Sequence, residues 1–471
     1  MHFNSMNNKT IKGQCWFIEN PERKLSATFE FYDKTHQINL FGINWSRDDL
    51  NSMKEIYYIL HATNEQGEPI TLINVKVIIG KYSIFNSNDH NSMNLNVNLH
   101  CFPEWILLGI HIFDENIEIF KKSNFTSKSI DEWFGHSPLL PEIEEDLSLK
   151  VTARKVEIPI VNVNDKFTLE FRPFPNLSLQ EYKSISYSLP LIAYSSFKEK
   201  CSFRKIVSAA ETLCKIFSIS SFCPIGFNQI NLFTEEGKEV KLLRNPIQAI
   251  QEEAINYYFI IKYDNVKGNF PEWINNFWLL ISEKPAFAEI INSLFFISQF
   301  PTKEQKFLYI LQAIENFHRI VYSSSQYYIE QEKYKQNHLP ILQQAVSHLS
   351  SDIPLSLKDA LRGRLKYGNE ISLRNRLMQL MNDLPWSLSK WIATDSQKFV
   401  SRVVDTRNYY THRLPEDAID LVDFEKSPSI DRTLEIFLVM LILLKAGTSE
   451  DAIHKSIYPK DHFRNSSLPL G

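Results

Sequence analysis

Between residues 11 and 172 the chain repeatedly alternates apolar and polar positions with a period of two. Ala27-Thr28-Phe29-Glu30-Phe31, Ile70-Thr71-Leu72-Ile73-Asn74-Val75-Lys76-Val77, Leu95-Asn96-Val97-Asn98-Leu99 and Phe167-Thr168-Leu169-Glu170-Phe171 each follow that pattern. It predicts strands with one buried face. Turn-forming clusters such as Asn64-Glu65-Gln66-Gly67-Glu68-Pro69 separate them, so the segment predicts an antiparallel sandwich or barrel. A helix is expected over 203–217, and a shorter β-rich stretch over 225–243. From about residue 271 the period changes. Phe307, Ile310, Leu311, Ile314 and Phe317 recur at three- and four-residue steps, as do Leu373, Leu377, Leu380 and Leu384, and then Leu434, Leu438, Leu441 and Leu444. Prolines at 285, 301, 354 and 385 punctuate these helices. The expectation is an α+β chain: a β-rich domain over 11–245, a helical connector over 246–300 and an all-α bundle over 301–460.

Composition narrows the function classes. At 471 residues, with 44% hydrophobic and 23% charged content, the chain has the make-up of an ordinary soluble protein of two or three domains. A formal net charge of −4 gives no global basic field, so contact with a nucleic acid requires a local patch. Only 13 glycines occur against 33 phenylalanines, and neither a phosphate loop nor a dinucleotide fingerprint is present. The five cysteines (Cys15, Cys101, Cys201, Cys214 and Cys223) contain no CxxC pair, which points away from a disulfide framework or a zinc site. Residues 1–14 lack the apolar core of a signal peptide. The longest apolar run, 436–444, is far shorter than the ~20 residues of a membrane span and reads as a buried helix. The expected location is the cytoplasm, without membrane attachment and without a cofactor.

Candidate chemistry concentrates in Arg407-Asn408-Tyr409-Tyr410-Thr411-His412. Arginine presents a permanently charged fork suited to phosphate, and histidine exchanges a proton near neutrality. Together they suit metal-free cleavage of an RNA phosphodiester, with a proton shuttle at the ribose 2′-hydroxyl and a cation facing the phosphorane. A spacing of five separates the two side chains by about 140° around a helix, whereas Asn408 and His412 share a face. Arg407 and His412 therefore converge only at a frayed helix end or across an interface between two copies. The plain alternative is a helix that packs its tyrosines inward and leaves the polar groups solvated.

Several ordered features resemble the HEPN superfamily, in particular the ApeA-like HEPN domain of bacterial anti-phage proteins. Phe307-Leu308-Tyr309-Ile310-Leu311-Gln312-Ala313-Ile314-Glu315-Asn316-Phe317-His318-Arg319 is similar to its opening helix. Leu361-Arg362-Gly363-Arg364-Leu365 and Ser372-Leu373-Arg374-Asn375-Arg376-Leu377 are similar to its middle, and the hexad falls where the family's RNxxxH motif belongs. Residues 438–447 and Glu450-Asp451-Ala452-Ile453 resemble its closing helix. Leu108-Gly109-Ile110-His111-Ile112-Phe113 and Asp131-Glu132-Trp133-Phe134 more loosely resemble the ApeA N-terminal domain. The resemblance implies a bundle that dimerises, a composite ribonuclease site without metal, and abortive defence when phage infection is sensed through the N-terminal domain.

On that reading His412 is general base toward the 2′-hydroxyl, or the acid at the leaving oxygen, giving a cyclic phosphate. Arg407 holds the scissile phosphate, and Asn408 orients His412 or Arg407. Tyr409 and Tyr410 read as packing residues. Glu315, His318 and Arg319 are expected to support the site. Glu315-x-x-His318 is half of a di-iron ligand set, but the helical region has no second such pair, so Glu315 reads as a partner for Arg407 or Arg319. Arg362, Arg364, Lys366, Arg374 and Arg376, with Lys358, form an expected cationic track for RNA, or a solvated helix face. His100, His111 and His136 read as structural. RNA loops are the expected substrate, with tRNA anticodon loops as one candidate. The rivals are a catalytically silent HEPN scaffold that binds RNA or a phage protein, and a ligand-binding β module that uses the bundle only to dimerise.

Overall fold

The computed structural model describes residues 9–457 apart from 33–34, 46–53, 87–92, 136–138, 144–148, 154–156, 175, 181–183, 189, 223, 228, 246–260, 298–299, 413–420, 423 and 425–429. The first part of the expected connector, along with His136 and Cys223, lies outside the described residues.

The N-terminal strands close on themselves. β1 (Lys9–Phe17), β2 (Leu25–Phe31), β3 (His36–Trp45), β4 (Ile56–Asn64), β5 (Pro69–Asn86) and β6 (Met93–Phe102) pair antiparallel in the circular order β5-β4-β1-β2-β3-β6-β5. Between sandwich and barrel, the closure selects a six-stranded barrel, which leaves those strands no open edge. Its interior is filled by Phe29, Leu40, Leu60, Leu72, Val75 and Leu99, all fully buried. The Asn64–Pro69 cluster makes the β4–β5 turn: Asn64 Oδ1 accepts from the amides of Gln66 and Glu68, and Gly67 supplies φ 77°.

A second antiparallel sheet grows from the wall of the barrel. Residues 70–73 of β5 pair with β7 (Trp105–Leu108), whereas residues from Lys76 onward pair with β6. At the change of partner Asn74 adopts φ 50°, and the Glu104 amide bonds the Ile73 carbonyl at 2.9 Å. Beyond β7 the order runs through β17 (Glu239–Arg244), β16 (Gln229–Thr234), β8 (Phe120–Thr126), β15 (Leu191–Cys201), β12 (Phe167–Pro173) and β11 (Val161–Val163). Two hairpins lie apart, β9 (Leu139–Ile143) with β10 (Leu149–Ala153), and β13 (Asn176–Gln180) with β14 (Ser184–Ser188).

The motif over 108–113 is a strap across the barrel wall. Thr71 Oγ1 donates to the Ile110 carbonyl and accepts from the Ile112 amide, at 2.8 and 3.1 Å. His61 Nε2 donates to the Ile112 carbonyl, His111 Nε2 donates to the Ala62 carbonyl, and the two rings stack 4.5 Å apart. Asp131 and Trp133 belong to α1 (Lys128–Phe134). Trp133 stacks on Trp273 and meets Phe217 of α2 (Phe203–Ser221) edge-on.

The chain divides into two compact units between Asn275 and Asn276, with Ile261 assigned to the second. α3 (Tyr263–Val266) and the start of α4 (Phe270–Glu283) belong to the first. The reason is aromatic: Tyr263, Phe270 and Trp273 pack with Trp133 and Phe134. Asn275 Nδ2 also donates to the Asn162 carbonyl.

The helical unit continues with α5 (Pro285–Phe296), α6 (Lys303–Val321), α7 (Leu339–Ser347), α8 (Leu355–Leu365), α9 (Leu373–Asp383), α10 (Trp386–Ile392), α11 (Ser396–His412), α12 (Ile430–Lys445) and α13 (Glu450–Ile457). Thr302 and Ser372 cap α6 and α9 by accepting from the amides of Gln305 and Asn375. Residues 436–443 of α12 are buried on every side, which makes it the central helix of the bundle, and α6 packs along it. Among the described residues no helix is long and apolar enough to cross a membrane.

Candidate active site

α11 carries the hexad and remains helical through His412. Phe399, Val400, Val403, Val404 and Thr406 form its buried stripe. Arg407 lies beside that stripe and is half-buried; His412 is exposed on the far side. With no break between them, the two side chains diverge by about 140° within one chain. Arg407 Nη1 donates to Asn408 Oδ1 at 3.3 Å, and among the described residues the guanidinium has no carboxylate partner. A half-buried cation without a counter-charge is poised for an anion. Thr406 Oγ1 donates to the Arg402 carbonyl and accepts from the Val422 amide, tying the chain beyond the motif back to the helix. Tyr410 packs edge-on against Phe424, which meets Phe307 of α6.

Glu315, His318 and Arg319 form a second polar group, on α6. His318 is fully buried; its Nε2 donates to Gln379 Oε1 at 2.9 Å and its Nδ1 accepts from Arg376 Nη1 at 3.2 Å. Both ring nitrogens are thus engaged by protein. Arg319 Nη2 bonds Glu315 Oε1 and Glu370 Oε2 at 3.0 and 3.2 Å. Of the two partners expected for Glu315, the described contacts give Arg319, with Arg376 as a further one at 3.9 Å. Among the described residues no bond links this group to Arg407, Asn408 or His412.

Arg376 corrects the expected cationic track. It is 1% exposed, so no RNA backbone can reach it. Its Nη1 donates to Gln326 Oε1 as well as to His318, and its Nη2 lies 3.8 Å from Glu370 Oε2. Burial, and then Arg319, lowers its guanidinium pKa from the usual range, against Glu315 and Glu370. The periodicity of α9 carried the signal, because Arg376 stands four residues before buried Leu380. Gln379 shares α9 with Arg376, one turn on, but its partner His318 stands 61 residues away, and Gln326 stands 50 residues from Arg376, so no local pattern pairs them. The rest of the track is dispersed. Arg374 pairs with Asp405 of α11 and bonds Ser401, and Arg362 bonds Asp359 and Ser347. Arg364 and Lys366 are exposed and, among the described residues, without an ion-pair partner. A further largely enclosed carboxyl that the pattern concealed is Glu435 on α12, bonded by Arg432 Nη1 at 2.9 Å; burial pushes it up to about 7.

The His318 network gives a pH expectation. Burial, assisted by Arg376 and Arg319, holds the imidazole pKa below its ordinary value, against the Gln379 hydrogen bond and Asp383. As pH falls, the unfolded chain takes up this proton first. The contribution is therefore complete above about 6.5 and is lost below it. Melting temperatures at about pH 7.5 and about pH 5.5 should separate more for the wild type than for His318→Gln. Equal separations would remove His318 as the source.

Two family models match the sequence. Residues 10–277, more than half of the chain, match ApeA N-terminal domain 1, and residues 308–452 match Apea-like HEPN. No curated protein and no solved structure gives a significant match. The β-rich N-terminal region and the helical domain follow one another as the two matched spans do, and the chain belongs to the ApeA-like family, with an ApeA N-terminal domain followed by an Apea-like HEPN domain.

Proposed function

We propose that this chain is a metal-independent endoribonuclease of anti-phage abortive defence, with a site assembled from the hexads of two copies. The observation that carries the reading is the unbroken helix beneath Arg407 and His412. One copy holds a cation without a counter-charge and, on the opposite side, an exposed imidazole. A two-fold arrangement would set the His412 face of one copy toward the Arg407 face of the other. In that site His412 removes the ribose 2′-hydroxyl proton, and the 2′-oxygen attacks the adjacent phosphorus. The 5′-oxygen then leaves with a proton, yielding a 2′,3′-cyclic phosphate and a 5′-hydroxyl. Arg407 stabilises the added charge on the phosphate oxygens, and Asn408, one turn before His412 on the same face, orients the ring. The Glu315–His318–Arg319 group, locked by Arg376, supports the site by fixing α6 and α9. Arg364 and Lys366 are the cations best placed to meet RNA. The substrate is an RNA loop, with the tRNA anticodon loop as the first candidate. The N-terminal domain senses a phage-derived trigger, and the enzyme works in the cytoplasm.

Complementation between inactive copies tests the shared site. His412→Ala and Arg407→Ala proteins should each be inactive, and a mixture should regain cleavage at up to about a quarter of the wild-type rate, because one intact composite site forms per mixed dimer. No recovery in mixtures shown to exchange subunits would sink the shared site. Cleavage should also persist in EDTA; loss there with restoration by Mg²⁺ or Mn²⁺ would replace this mechanism with a metal-assisted one.

A further inference from the structure

Three tyrosines of the helical unit stand in solvent on two segments that are bonded to each other. Tyr327 is 39% exposed, Tyr328 59% and Tyr367 72%. A single exposed tyrosine is ordinary; these share a fixed base. The Tyr328 amide donates to the Asn369 carbonyl at 2.9 Å, and the Ile371 amide to the Gln326 carbonyl at 3.1 Å. Asn369 is buried, and its side chain accepts from the Ile329 amide and donates to the Ile329 carbonyl. Tyr327 and Glu370 form an antiparallel bridge between the two segments. Tyr367 opens the turn that leads into this bridge, its carbonyl accepting from the Glu370 amide at 3.1 Å. Rings carried on a backbone already ordered give up little freedom on binding.

The tip of Tyr328 is held as well. Asn375 Nδ2 donates to its hydroxyl at 2.9 Å, so α9 sets the ring's orientation while more than half of the residue stays in water. The residue before Asn375 is Arg374, which donates from Nη1 to Ser401 and from Nη2 to Asp405 of α11. Ser401, Asp405, Asn408 and His412 follow one another at steps of four, three and four. They lie within about 60° around the helix, and Asp405 stands about 10 Å along the axis from His412. Arg374 therefore rests on the face of α11 that carries the imidazole. A path runs from Lys366 and Tyr367, over Tyr328, to Arg374 and that face. The carboxylates bonded into it are engaged, Glu370 by Arg319 and Asp405 by Arg374.

We propose that Tyr328, with Tyr367 on the adjoining turn, is a stacking subsite for an unpaired RNA base that flanks the scissile phosphate, and that Arg374 meets the backbone between the two. Exposed rings interleaved with cations suit a single strand, because every base offers a π-face while the cations follow the phosphates. Paired RNA is excluded, since its bases are already stacked on one another. The subsite therefore supplies a physical reason for a loop substrate. Its placement beside the cut rests on the ribonuclease reading above; the binding surface rests on the tyrosines.

Fluorescence anisotropy with a labelled RNA hairpin loop tests the subsite, read in the full-length His412→Ala protein so that no cleavage intervenes. Adding Tyr328→Ala should weaken retention by about 5–150-fold, the range of one stacked base. Tyr328→Phe, which keeps the ring and gives up the Asn375 bond, should hold most of the affinity. The dependence of affinity on salt should be unchanged in Tyr328→Ala, whereas Arg374→Ala should lower its slope by about one. With the same sequence fully paired, Tyr328→Ala should bind as its parent does. Equal retention of the loop by Tyr328→Ala and its parent overturns the proposal, as does an equal loss on paired RNA. So does an equal loss in the Phe and Ala variants, which would make the Asn375 tether and not the ring the cause. A parent that retains no single-stranded RNA overturns it too, and leaves the tyrosines to a protein partner. The ribonuclease reading is judged separately, with His412 intact. Ring-dependent retention without cleavage removes the enzyme and keeps the subsite; cleavage at sub-saturating RNA that is indifferent to Tyr328 does the reverse.

Discussion

His412→Ala should lower RNA cleavage by about 10²–10⁴-fold, the range ascribed to a positioned general acid or base, while the protein stays folded. His412 is exposed at the last helical position of α11, and truncation at such a site changes stability by less than ~0.5 kcal/mol. Arg407→Ala should cost a comparable factor, about 10²–10³, because the charge that develops on the phosphate loses its donor. Arg407→Lys should recover little of it, since an ammonium lacks the planar fork that grips two phosphate oxygens. The measurements are cleavage of a defined loop RNA, circular dichroism of each variant, and total-RNA sequencing after induced expression of wild type beside His412→Ala. Wild-type cleavage by the His412→Ala protein would end its assignment as proton shuttle. Abolished cleavage with intact RNA retention would, by contrast, separate the enzyme from the silent scaffold.

Arg376→Ala should destabilise the helical unit by about 3 kcal/mol, the low end of the range for removing one partner of a buried ion pair. The guanidinium is enclosed by Gln326, His318, Glu315 and Glu370. Its removal orphans Gln326 Oε1 and His318 Nδ1 inside the bundle. Glu315 and Glu370 keep Arg319 and some solvent, which is why the larger figure is not expected. For a unit of this size the melting temperature should fall by roughly 6–12 °C. Arg374→Ala is the control two residues away: its exposed pair with Asp405 should be worth at most about 1 kcal/mol. If Arg376→Ala instead left the melt unchanged and weakened RNA retention, the guanidinium would face solvent and the buried network would be wrong.

Periodicity made much of this protein legible. Alternation at Phe29 and Phe31, or at Leu95, Val97 and Leu99, places strands because one face must leave water. Three- and four-residue steps place α6, α9 and α12 for the same reason. Closure of the barrel was not legible, because the pairing of β5 with β6 that completes the ring is a choice of partner and leaves no mark in either strand's own pattern. The polar sites divided similarly. The hexad is visible because its chemistry is local, six residues on one helix. The Arg376 network joins α6, α9 and Gln326 across the fold, and its buried arginine sits among true surface cations, so composition drew it outward while helical phase placed it inside.

The double service of β5 has a mechanical consequence. One continuous strand of 18 residues is a wall of the closed barrel along its length and, over residues 70–73, the hinge-line to the open sheet. The barrel cannot be breached along β5 without also releasing the outermost strand of the sheet, and the strap over 109–113 fastens the same junction from outside. The two sheets should therefore share one opening free energy, and amide protons on either side of Asn74 should exchange together as a single cooperative block.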